Sequence, residues 1–136
     1  MKKVLSIILV IVWMIVIFYF SNQVGQVSSS QSGFLTNIII KIFGSTNEPF
    51  INHLVRKLAH FTEYLILGVL VLNMLRYYKP KEILILAIMI CILYSCLDEI
   101  HQLFIQGRAG QLKDVLIDSL GSLTGIFIFN KIKKVK

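Results

Sequence analysis

The stretch that decides the fold is EILILAIMICILYSCLDEIHQ, Glu82–Gln102. From Ile83 to Leu97 it is almost wholly apolar, and Asp98, Glu99 and His101 then follow within about one helical turn. The run lacks strict alternation and exceeds a buried strand of roughly 4–8 residues, so it reads as a helix. A membrane span needs about 20 residues, within a range of roughly 17–25. Ile83–Leu97 reaches that length by continuing through DEIHQ and LFI to Ile105. The ionisable group either marks a helix end or belongs to the span itself.

The rest of the chain puts that helix in a membrane. Of 136 residues, 56% are hydrophobic, and mean hydropathy is +0.76. Two prolines and eight glycines leave little room for disorder. The class is an all-α integral membrane protein, one domain over residues 1–136. Net charge is +7. In a soluble protein this would suggest nucleic acid. Here Lys and Arg flank apolar runs and the aromatics lie inside them, so the charge suits topology and anionic lipid, and no nucleic-acid partner is expected. Cys91 and Cys96 sit inside an apolar run without CxxC spacing and read as small buried hydrophobes.

Four spans emerge, at about 4–20, 58–76, 83–105 and 112–130. The first follows a basic start, Met1-Lys2-Lys3, but its apolar core exceeds the roughly 7–15 residues of a signal peptide, so it reads as a retained helix. With both termini cytoplasmic, nine of the 14 Lys and Arg fall inside: Lys2, Lys3, Arg76, Lys79, Lys81, Lys131, Lys133, Lys134 and Lys136. Lys41, Arg56, Lys57, Arg108 and Lys113 fall outside. In the first external loop, Phe34, Leu35, Ile38, Ile39 and Ile42 recur at helical spacing within Gly33–Phe43. That pattern predicts a short amphipathic helix, lying on the interface or packing the loop. Ser45-x-x-Glu48-Pro49 then signals a second-helix start near Thr46.

Measured from the cytoplasmic ends at about 1.5 Å per residue, the polar groups of three helices share one depth. Glu63 and His60 lie about 20 and 24 Å up, Asp98, Glu99 and His101 about 24–28 Å, and Asp118 and Asp114 about 20–25 Å. All fall in the outer part of a hydrocarbon core about 30 Å thick. They also share faces: His53, Arg56, His60, Glu63 and Leu67; Tyr94, Asp98, His101 and Ile105; Asp114, Asp118, Gly121, Ser122 and Gly125. Gly121-x-x-x-Gly125 would admit a close neighbour and aim Asp118 inward. Charges at that depth cost several kcal/mol unless paired or wet, so the helices are expected to converge them into a polar pocket opening outward. A salt-bridge network that only glues the bundle is the plainer reading, but buried ion pairs are poor glue.

Several chemistries fit such a pocket. His60-x-x-Glu63 and Asp98-x-x-His101 are spaced to hold a divalent metal between facing helices, making His60, Glu63, Asp98 and His101 the metal candidates. The plainer reading has each His bonded to a neighbouring carboxylate. Arg56, Lys57 and Arg108 at the mouth suit phosphate. Gly110-x-x-x-Asp114-x-x-x-Asp118 matches only the tail of the CDP-alcohol phosphatidyltransferase pattern. No Ser/His/Asp or Cys/His triad is visible. The inner halves, LILGVLVLNM and ILILAIM, offer no relay for an ion pathway.

RKLAHFTEYLILG (Arg56–Gly68), YSCLDEIHQLFIQGR (Tyr94–Arg108) and DVLIDSLGSLTG (Asp114–Gly125), with IFYFSNQ (Ile17–Gln23) before them, resemble the VanZ-like family. Its motif residues fall here on Arg56, Lys57, His60, Glu63, Asp98, Glu99, His101, Gln102, Arg108, Asp114 and Asp118. The resemblance implies a small multi-pass protein of the bacterial cytoplasmic membrane. The family's founding member is associated with low-level resistance to teicoplanin, a glycopeptide that binds cell-wall precursors outside the membrane. The expected partner is an outer-leaflet lipid or lipid-linked wall precursor. Arg56, Lys57, Gln102, Arg108 and Asp114 are the candidate binding residues. His60, Glu63, Asp98, Glu99, His101 and Asp118 would do any chemistry. The alternatives are a non-catalytic envelope binder and a membrane-embedded hydrolase or transferase on a phosphate-bearing lipid, with or without a divalent metal.

Overall fold

The structure, a computed structural model, describes residues 2–23, 33, 36–41, 47–106 and 110–134. Four long helices make up the bundle: α1 (Lys2–Ser21), α2 (Glu48–Arg76), α3 (Ile83–Gln102) and α4 (Leu112–Lys134). All four are long and apolar enough to cross a membrane. Their outer surfaces fit that medium: Ile8, Ile15, Met89, Leu93, Leu116 and Leu120 are all exposed. Water would not tolerate so continuous an apolar surface, whereas lipid does.

Side-chain pairings set the helix directions. Tyr94 Oη donates to the Met14 carbonyl at 2.6 Å and Ser21 Oγ to Asp98 at 2.7 Å, so α1 and α3 run parallel. Trp13 Nε1 donates to the Glu63 carbonyl at 2.9 Å, and Lys3 stands over the Tyr78 ring, so α2 runs opposite to α1. Ser95 meets Asp118 and Glu99 meets Gln111, so α4 is antiparallel to α3. The result is an up–down bundle whose two terminal segments share one end. Arg76 marks that end, bonded to Asn130 at 2.9 Å and lying over Phe129.

The parallel pair α2/α4 approaches most closely, and glycine is the reason. A Cβ on Gly121 or Gly125 would collide with the Phe61 or Leu65 carbonyl oxygen, and one on Gly68 with that of Ser122. The small-residue stripe expected on the fourth span is thus seated directly on α2 backbone. The apolar core below it is Leu67, Val71, Leu72, Ala87, Cys91 and Ile126. Both cysteines are free, Cys91 within this core.

One helix end differs from the sequence reading, and two expectations lie partly outside the described residues. Asn47 caps α2, its side chain accepting from the Phe50 amide at 3.3 Å, and Pro49 sits in the first turn. The expected start near Thr46, with Ser45 as capping residue, lies outside the described residues. The regular α3 helix ends at Gln102, short of Ile105. Leu103, Phe104 and Ile105 instead bond back three residues, to Ile100, His101 and Gln102, a tightening common at helix ends. The amphipathic segment is described only in part: residues 36–41 are helical, whereas Phe34, Leu35, Ile42 and Phe43 lie outside the described residues. Lys79, at φ 50°, takes the left-handed position that closes α2, its amide bonded to the Leu75 carbonyl at 3.0 Å.

Candidate functional site

At the end of the bundle opposite Arg76, the buried residues change from apolar to polar. The inward stripe of α3 runs Ala87, Cys91, Ser95, Asp98, Gln102, with Glu99 beside it. Asp98 is 3% exposed and Asp118 0%. Two small networks hold these carboxylates. Asp98 Oδ2 accepts from Ser21 Oγ at 2.7 Å and from the Gln102 amide at 3.3 Å; that amide also reaches Ser21 Oγ at 3.2 Å. Asp118 Oδ2 accepts from Ser95 Oγ at 3.0 Å, and its Oδ1 faces His60 Nδ1 at 3.6 Å. One ligand atom each from His60, Asp98 and Asp118 lies within 4.8 Å of the others.

The remaining candidates surround this centre. Lys57 forms an ion pair with Asp114, one turn nearer the end of the bundle than the His60–Asp118 contact. Glu99 is buried, and its Oε2 accepts from the Gln111 amide at 2.9 Å, fixing the entry into α4. Arg56 is half-buried on α2. His101 turns toward α1, its ring 4.6 Å from that of Phe18 and its Nε2 3.2 Å from Asn22 Oδ1. Arg108 lies outside the described residues.

Glu63 also borders a cavity of about 490 Å³, with Trp13, Ile38, Val55, Leu58 and Ile66. A smaller one of about 290 Å³ lies beside Glu99, Gly110 and Leu112. Of the four sequence-derived metal candidates, His60 and Asp98 meet, with Asp118 as their third partner; Glu63 and His101 are not members of that group. Ser21 and Ser95 were not singled out as site residues. Serine is ordinary in helices, and only the α1/α3 and α3/α4 registers reveal what these two hold.

The Lys57–Asp114 pair is partly solvated, with side chains 19% and 17% exposed. Such pairs contribute roughly 0–1 kcal/mol. Lys57→Met should therefore shift the thermal midpoint of the purified protein by only about 2–4 °C, readable by differential scanning fluorimetry. A collapse on this substitution would mean the pair is essential glue.

Four spanning helices with a buried polar centre at one end define a multi-pass helical membrane protein. The family model described as VanZ/LLP1 matches residues 6–133, and the chain belongs to that family. No curated protein and no solved structure matches it.

Proposed function

We propose that the protein acts in the bacterial cell envelope, engaging an outer-leaflet lipid or lipid-linked wall precursor and thereby altering susceptibility to glycopeptides such as teicoplanin. One observation carries this reading: an otherwise apolar bundle draws carboxylates, a histidine and a lysine from three helices to one end. Polar groups are costly in a membrane and mark functional positions there. The basic residues Lys3, Arg76 and Lys133 gather at the other end, which by the positive-inside tendency faces the cytoplasm and turns the polar end outward. Arg56, Lys57 and Arg108 supply cations suited to a phosphate-bearing headgroup. The cavity by Glu63 lies within the roughly 300–1,000 Å³ of ligand sites, and its apolar lining suits a hydrocarbon chain.

A second reading, a membrane-embedded hydrolase or transferase on a phosphate-bearing lipid, is favoured by the grouping of His60 with Asp98 and Asp118, which could move protons or hold a metal. Native mass spectrometry of the detergent-purified chain tests the first reading. Expected is a phosphate-bearing lipid retained at about one per chain, lost from an Arg56→Ala, Lys57→Ala variant, and a teicoplanin susceptibility that changes with expression of the wild type alone. Absence of retained lipid together with unchanged susceptibility would sink it. A changed lipid or precursor profile on expression selects the enzymatic reading.

A further inference from the structure

We infer that His60, Asp98 and Asp118 form a binding site for a single divalent transition metal, of zinc type, with an open coordination position. The site deepens the enzymatic reading but stands on its own geometry. Three helices each contribute one ligand atom, all within 4.8 Å of one another. Two ligands about 2.1 Å from one tetrahedral ion stand about 3.4 Å apart. His60 Nδ1 and Asp118 Oδ1 are 3.6 Å apart, too long for a good hydrogen bond and close to that ligand–ligand spacing.

The carboxylates are arranged as metal ligands usually are. Ligating carboxylates are themselves hydrogen-bonded through the oxygen that does not face the metal. Asp118 gives Oδ2 to Ser95, and Asp98 gives Oδ2 to Ser21 and Gln102. Asp118 Oδ1 is fully buried, is aimed at His60, and has no hydrogen-bond partner among the described residues. Lys57, the cation one turn away on α2, is paired with Asp114. Two carboxylates buried side by side call for positive charge at their centre, and a divalent ion supplies it. One imidazole and two carboxylates suit zinc, and three protein ligands leave the fourth position for water or substrate.

The test uses the full chain in detergent, stripped with a chelator and reloaded with zinc or cobalt alone. Native mass spectrometry should show one metal per chain. Cobalt should give the visible absorption of a tetrahedral site. Asp98→Asn, Asp118→Asn and His60→Ala should each lose the ion, whereas Glu63→Gln and His101→Ala keep it. Ser95→Ala, which removes only the support of Asp118, should weaken binding about tenfold. His60 is partly exposed, so His60→Ala remains informative if an aspartate variant does not fold. A wild type that binds no stoichiometric metal, or that loses it equally in the Glu63 and His101 variants, overturns the inference. Because the assay reads the metal ion alone, its outcome is distinguishable from whether a lipid is also retained.

Discussion

Gly121→Leu should abolish the folded bundle, and Gly125→Leu should do the same. Each Cβ would be driven into a backbone carbonyl of α2, Phe61 in one case and Leu65 in the other. A flexible side chain could step aside, but helix backbone moves only if α2 and α4 separate. Separation would break the reciprocal contact of Gly68 with Ser122, the Arg76–Asn130 bond and the Lys57–Asp114 pair at once. Overpacking costs typically 1–3 kcal/mol where side chains can adapt, so about 3 kcal/mol is a lower figure here. That corresponds to a fall of about 10 °C or more in the thermal midpoint, or to loss of monodisperse protein in detergent. Even Gly121→Ala should destabilise measurably. A Gly121→Leu protein that melts like the wild type would refute the α2/α4 packing. The matched control is Leu120→Ala: its side chain is 58% exposed on the outer surface, and its loss should cost little.

Much of this packing could be read from residue pattern, because a membrane span announces itself by length and hydropathy. Gly121-x-x-x-Gly125 predicted a close neighbour, and α2 is that neighbour. Helix ends were harder. Asn47 has its side chain on a first-turn amide, and several polar residues in STNEP offer that chemistry. At the end of α3, Leu103, Phe104 and Ile105 are as apolar as the span before them but leave regular α-helix. Hydropathy cannot distinguish α from i−3 bonding.

The site was legible in depth and less so in angle. Counting residues placed His60, Asp98 and Asp118 at one level, and the structure groups these three. Asp98 and His101 were read as one face because they are three apart. Both face α1, Asp98 through Ser21 and His101 through Phe18 and Asn22, but only Asp98 also joins His60 and Asp118. The inward stripe is instead Cys91, Ser95, Asp98 and Gln102. Glu63, three residues past His60, borders the cavity lined by Trp13 and Ile66. Spacing alone cannot say which side of a shared face looks into the centre; that needs the neighbouring helices and their registers.

Two substitutions at Asp98 should separate its structural role from its functional one. Asp98→Ala leaves Ser21 Oγ, 1% exposed, without its acceptor, and leaves the Gln102 amide, 4% exposed, with Ser21 Oγ alone. Interhelical hydrogen bonds in membranes average about 0.6 kcal/mol and reach about 1.7. Stranding the buried hydroxyl, removing one of the amide's two acceptors and opening a small void bring the expected cost to about 2 kcal/mol. Asp98→Asn keeps an acceptor oxygen of the same size, so it should cost well under about 1 kcal/mol. It removes the carboxylate charge all the same. If Asp98 serves only to tie α1 to α3, the Asn variant should keep full cellular activity and the Ala variant should lose it in proportion to folded protein. If its charge completes the centre with His60 and Asp118, both variants lose activity, and Asn does so at nearly wild-type stability. We expect the second outcome. Thermal midpoint and cellular phenotype, measured on the same pair of variants, decide between them, because only a functional charge can be lost without loss of the fold.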